Sequence, residues 1–277
     1  MKLRKFFPAI FFLLSAAAPV WGAAAPNSYD EALKLHRAGK LKEAISAYDK
    51  AIQADPKLAR AFVGRGGAYA QLGQQERAIK DYDQAIKLSP KLAEGYYYRG
   101  NAYIEAKQPE RALKDYDEAI KLNAKYSEAY RQRGSTYYGL GQYDKAVQDF
   151  TEAIRHDPKD AGAFYERGLA ERRLGKADAA VEDYTTALKL NPNNPEVYNN
   201  RANAYYLLRK YDLALQDYDS ALKIDPKNAR IYANRGLANL GAGKNDAAEK
   251  DFAKSFELDP SLKQKLESDI RTKGIVK

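Results

Sequence analysis

Apolar positions recur along most of the chain at spacings of three and four, in two short runs separated by a glycine, and the whole pattern returns every 34 residues. Such spacings mark one face of a helix. In the stretch Ser127 to Asp160 the landmarks are Tyr130, Arg133, Gly134, Tyr137, Gly141, Ala146, Phe150, Ala153 and Pro158. The pattern predicts a helix on each side of Gly141, and therefore a helix hairpin in every copy. Gly134 and Ala146 leave room for two antiparallel helices to cross closely. Gly141 suits the left-handed turn that ends the first helix, and Pro158 stops the second.

Counted from Ala25, the period holds through seven copies, 25–58, 59–92, 93–126, 127–160, 161–194, 195–228 and 229–262, without an insertion. Proline closes six of them, with Ala124 as the exception. Glycine marks five inner turns; Lys107 and Arg209 stand at the other two. Pro109 and Pro195 fall where helices should begin, a position proline favours. These departures are scattered and suggest no domain boundary. A fixed period of this length is the signature of an all-α helical repeat array.

Two segments lie outside the period. Residues 1–24 read as a secretory signal peptide: Lys2, Arg4 and Lys5 form a positive start, Phe6 to Val20 an apolar stretch, and Gly22 to Ala25 a small-residue cleavage region. Cleavage after Gly22 or after Ala24 fits equally. Either would leave a mature chain without tryptophan, since Trp21 is the only one. An uncleaved anchor in the inner membrane is the rival reading, because no charge occurs between Phe6 and Tyr29. At the other end, residues 263–277 read as a capping helix and tail, with Leu262, Leu266 and Ile270 on one stripe.

Composition removes several functions. The chain has no cysteine, which excludes disulfides, thiolate metal sites, a cysteine nucleophile and a lipid-anchored N-terminus. The formal charge of +9 falls to about +6 without the leader, and acids alternate with bases along the same helices. That pattern describes a solvated surface and gives no nucleic-acid stripe. His36 and His156 belong to separate copies, and GRGG at 64–67 lacks the lysine and serine of a phosphate loop. No cofactor or metal is implied, and the chain reads as a non-catalytic protein.

The same residues carry a family resemblance over the whole period. The second copy has Phe62, Gly66, Tyr69, Ala78, Tyr82, Ala85 and Pro90; the sixth has Tyr198, Ala202, Tyr205, Ala214, Tyr218, Ala221 and Pro226. This pattern resembles that of the tetratricopeptide repeat proteins. The resemblance implies a right-handed superhelical solenoid of helix-turn-helix repeats whose first helices line a concave groove that binds segments of partner proteins. Ser28 and Leu35 in the first copy, and Glu171 and Asn239 in the fifth and seventh, depart from the aromatic pattern.

Two expectations follow at residue level. Arginine recurs at the seventh position from Arg65 to Arg235 and aspartate at the twenty-third from Asp81 to Asp251, while the first copy carries Glu31 and Ala47 there. Pairing within each copy leaves no orphan, so an intra-repeat ion-pair ladder is expected. The partner-binding stripe is expected at Tyr97, Tyr98, Asn101, Arg131, Tyr138, Tyr165, Asn199, Asn203 and Asn234. A carboxylate clamp of the kind found in chaperone-binding members is not expected, since Asn199 stands where it needs a lysine. The function that emerges is a periplasmic interaction scaffold of the bacterial cell envelope. The alternative is an electrostatic binder of anionic envelope glycan or lipid. Secretion is the other exported destination.

Overall fold

The computed structural model describes residues 25–264 and 266, so the expected leader and most of the expected cap lie outside the described residues. The chain divides into two compact units between Ala124 and Lys125, at the one repeat end without proline. The first unit holds three hairpins: α1 (Ala25–Arg37) with α2 (Leu41–Ala54), α3 (Ala59–Gln71) with α4 (Gln75–Leu88), and α5 (Ala93–Glu105) with α6 (Pro109–Leu122). The second holds four: α7 (Ser127–Gly139) with α8 (Tyr143–His156), α9 (Ala161–Arg173) with α10 (Ala177–Leu190), α11 (Pro195–Leu207) with α12 (Tyr211–Ile224), and α13 (Ala229–Gly241) with α14 (Asn245–Leu258). All these elements are helical, as the spacing predicts. Within each unit a hairpin packs on its sequence neighbours, and first helices touch first helices. Residues 262–264 and 266 are helical and Leu266 is buried.

One turn serves every hairpin. Gly141 has φ +75°, its N–H donates to the Tyr138 carbonyl at 3.0 Å, and the next N–H, of Gln142, reaches the Tyr137 carbonyl at 2.9 Å. These two bonds satisfy carbonyls that the helix end would leave open. Lys107 (φ 59°) and Arg209 (φ 57°) hold the same left-handed turn without glycine. Their backbone accepts a cost of roughly 1 kcal/mol because the two bonds fix the turn. Pro109 and Pro195 open α6 and α11, and Asp160 and Asn194 cap α9 and α11 with their side chains.

The core of each hairpin is a ring set against a small residue, glycine in five copies and alanine (Ala32, Ala202) in two. Tyr82, Tyr116, Phe150, Tyr184 and Tyr218 are at most 1% exposed. Each ring lies on the eighth position of its own copy: a Cβ added to Gly66 would stand 2.7 Å from Tyr82, and one added to Gly134 would stand 2.9 Å from Phe150. Burying one such ring contributes about 2–3 kcal/mol, so a bulky side chain at Gly66 or Gly134 would expel the contact that closes the hairpin.

Candidate functional site

The arginine and aspartate ladder pairs within each copy. In all six, Arg65 to Arg235, the guanidinium Nε and Nη2 grip both oxygens of the aspartate sixteen residues on, at 2.5–2.9 Å. The aspartates are buried and the arginines half-buried. A third arm, not legible in the repeat pattern, joins neighbouring copies. Nη1 reaches back to the twenty-fifth position of the preceding copy: Arg65 to Asp49, Arg99 to Asp83 and Arg235 to Asp219 at 2.6 Å, Arg167 to Thr151 at 3.1 Å and Arg201 to Thr185 at 3.0 Å. Each of these arginines therefore closes its own hairpin and latches it to the one before. The hydrogen bond to the paired aspartate, more than any other cause, holds Arg65, Arg99, Arg167, Arg201 and Arg235 above the usual arginine range.

Aromatic rings at the fourth and eleventh positions cover these guanidiniums, as Tyr198 and Tyr205 cover Arg201 at 5.8 and 5.9 Å. Where the eleventh-position ring is absent, a polar group takes over. Asn239 donates from Nδ2 to Asp251 at 2.9 Å. Glu171, the equivalent residue two copies earlier, faces Asp183 with its Oε2 buried and unpartnered. Burial first, and then the Asp183 charge, push its carboxyl up from an ordinary 4.5 to about 7, against the pull of Arg167 and Lys176.

The expected partner-binding residues fall in both units. In the first, Tyr97 is 8% exposed, meets Tyr98 at 5.0 Å and Tyr116 at 6.2 Å, and so builds the face more than it presents itself. Tyr98 stacks on Tyr82, and Asn101 accepts the Tyr116 hydroxyl at 2.7 Å. His36, read from sequence only as an isolated histidine, is buried between Tyr48 (3.2 Å) and Gln71 (3.0 Å), and burial lowers its pKa.

In the second unit the residues form pairs across neighbouring first helices. The fifth position of one copy meets the sixth of the next: Arg131 with Glu166 at 3.4 Å, Tyr165 with Asn200 at 3.0 Å, and Asn199 with Asn234 at 3.0 Å. Arg131 also pairs with Asp160, and Ser135 donates to Glu166 at 2.7 Å. Burial raises the Glu166 carboxyl, and the Arg131 charge opposes that rise. Asn203 accepts the Tyr218 hydroxyl at 2.7 Å. Tyr138 leans on Tyr143 and accepts a hydrogen bond from Arg173 at 3.4 Å. The asparagines thus spend part of their hydrogen-bonding capacity on the fold, yet each remains half-exposed. At the twelfth position Tyr138 of α7, Arg172 of α9 and Tyr206 of α11 follow one another on this face, all partly exposed.

Among the described residues no group of three histidine, aspartate or glutamate side chains is placed to hold a metal, and no helix is long and apolar enough to cross a membrane.

Comparison with known proteins agrees with this architecture. Tetratricopeptide repeat models match residues 97–161, 131–195, 165–229 and 199–262, and a further TPR repeat model matches 32–73 and 66–107. Among solved structures, a MamA protein is 29% identical with TM-score 0.53, covering 60% of this chain and 91% of its own. The pilF protein of Pseudomonas aeruginosa is 24% identical with TM-score 0.64, covering 73% and 92%. The C-terminal part of a TPR repeat-containing protein from Cytophaga hutchinsonii is 24% identical with TM-score 0.66, covering 84% and 95%. A search among curated proteins finds no match. Proteins of this family serve in general as non-catalytic scaffolds for protein–protein interaction. With family models spanning more than half of its length and the hairpin array in place, the chain belongs to the tetratricopeptide repeat family.

Proposed function

We propose that this protein is an exported, non-catalytic scaffold of the bacterial cell envelope, and that the first-helix face of its second unit holds a segment of a partner protein. One observation carries the binding reading. The rings that close the hairpins, Phe150, Tyr184 and Tyr218, are fully buried, whereas Tyr138, Tyr165 and Tyr206 keep part of their surface open on one shared face beside half-exposed Asn199, Asn203 and Asn234. Amphipathic rings and amides of this kind anchor side chains and pair with a peptide backbone. The exported location is supported by the signal-like sequence of residues 1–24. Tyr98 and Asn101, backed by buried Tyr97, offer a second, separate set in the first unit.

A photo-crosslinking amino acid placed at Tyr138 or Tyr206 in living cells tests both parts. Capture of a discrete envelope protein from these positions, and none from exposed Glu182 on α10, is the expected result. The cross-linked scaffold chain itself should lack Trp21 by intact mass. Capture from Glu182 alone would move the site to the second helices. Binding that collapses as salt rises would favour an anionic surface instead.

A further inference from the structure

Arginine is the residue that most consistently finds an acid in this fold. The six ladder arginines and Arg131 are half-buried, and each faces at least one carboxylate. Among the described residues Arg172 is the half-buried arginine with no carboxylate at ion-pairing distance. Its neighbour in sequence, Glu171, is turned to Asp183 and Arg167. Beneath Arg172 lies Tyr184, whose phenol burial raises and the charge and hydrogen-bonding approach of Arg172 partly lower. The Arg172 guanidinium and the Tyr184 hydroxyl approach one another, and neither the Arg172 Nε–H nor that hydroxyl has a well-formed hydrogen bond to any other group. A half-buried guanidinium that meets only a phenol, and no carboxylate, keeps donor capacity for a further acceptor.

The surroundings specify its charge. Arg173, exposed, adds a second guanidinium and spends its Nε on Tyr138 at 3.4 Å. Two cations and the flanking phenols of Tyr138 and Tyr206 offer donors, and the nearby Asp183 charge is already taken by Arg167. A planar fork of N–H groups suits the two oxygens of a carboxylate. We propose that Arg172 is the anion-receiving group of the first-helix face of the second unit, and that it takes an aspartate or glutamate side chain of the partner segment. An internal acid is favoured over a chain terminus because first helices continue on both sides of Arg172, α7 on one and α11 on the other, so a segment can cross the site and go on. This rests on the partner-segment reading above and names the chemistry of the segment's anchor.

The test uses random dodecapeptides displayed on phage and selected on the full chain. Peptides sharing one fixed acidic position are expected. Changing that acid to its amide should weaken binding to the wild-type protein about tenfold or more, as loss of a charged hydrogen-bonded pair does. On Arg172→Gln the acid and amide peptides should bind alike, and on Arg172→Lys, which keeps the charge but not the fork, the acid should recover part of its advantage. Circular dichroism of each variant confirms that the helices persist. Peptides without a fixed acid, or an acid preference that survives in Arg172→Gln, would overturn the role of Arg172 and leave the scaffold reading standing. Failure of the wild-type protein to select any peptide would overturn both.

Discussion

The two units solve the same packing problem with different chemistry. In the first, the junction between the second and third copies sets Val63, 4% exposed, in one apolar cluster with Tyr98, and the junction before it leaves Gly64 bare so that the Tyr48 ring can fill the space. In the second unit the same two positions hold polar pairs at all three junctions: Arg131 with Glu166, Tyr165 with Asn200, Asn199 with Asn234. An apolar contact rewards any close fit, whereas a hydrogen-bonded pair rewards one geometry and penalises a missing partner. The polar version keeps donors and acceptors on a surface that would otherwise be greasy. It is the version expected where a face must both stack and bind.

The latch common to both units should break most severely. Asp217→Ala removes both main contacts of Arg201 and leaves it only the Thr185 hydroxyl, so a loss of about 3 kcal/mol is expected in urea unfolding. Asp115→Ala should cost less, about 1–2 kcal/mol, because Arg99 keeps Asp83 at 2.6 Å. In each case the double variant that also removes the arginine should be milder than the aspartate variant alone. Equal and additive losses at both sites would show that the pairs contribute little.

A smaller effect belongs to the second unit alone. Glu171 in the folded protein titrates near 7, above its ordinary 4.5, so the folded state binds its proton more tightly than the unfolded chain does. The stability it contributes is fully present below about 4.5 and is lost as pH rises through about 7. Glu171→Gln can donate to Asp183 at any pH, as Asn239 does to Asp251. After allowing for solvent at a half-buried site, the substitution should stabilise the protein by about 1–2 kcal/mol above pH 7.5 and flatten the dependence of thermal midpoint on pH. A profile identical to wild type would show Glu171 ionised throughout.

The smallest expected effect transplants one unit's chemistry into the other. Asn199→Val with Asn234→Tyr copies the Val63 and Tyr98 pair into the junction of α11 and α13, and should leave stability within about 1 kcal/mol, since a polar pair exchanged for a packed apolar one is near neutral. A loss well beyond that in thermal melts would mean that the polar pairs are structurally required.

What could be read beforehand was whatever recurs with the same identity. The hairpins, the glycine and ring contacts of Gly66 and Gly134, and the pairing of Arg133 with Asp149 all repeat every 34 residues, so each copy corroborates the others. The third arm of the ladder escaped because its acceptor alternates between Asp83 and Thr185, two residues alike only in offering an oxygen. The junction pairs escaped for the same reason, since Val63, Tyr165 and Asn199 share a place and nothing else. Lys107 and Arg209 hid a left-handed turn that only the backbone reveals. Tyr97 was nameable as part of the stripe, but its burial depends on the Tyr116 ring from the neighbouring helix.

The backward arm of the arginine ladder also makes the array directional. Each latch needs an arginine on the later copy and an oxygen on the earlier one, so the internal copies, which carry both halves, are interchangeable, whereas the first and seventh copies fit only at their own ends of the array. Glu31 and Ala47 leave the first copy with nothing to send back, and Ala253 gives the seventh no oxygen at the twenty-fifth position. A duplicated internal copy would find a ready acceptor, whereas one added beyond the seventh would not. Growth by gene duplication is thereby favoured in the middle of the array, where the new copy inherits both halves of the latch.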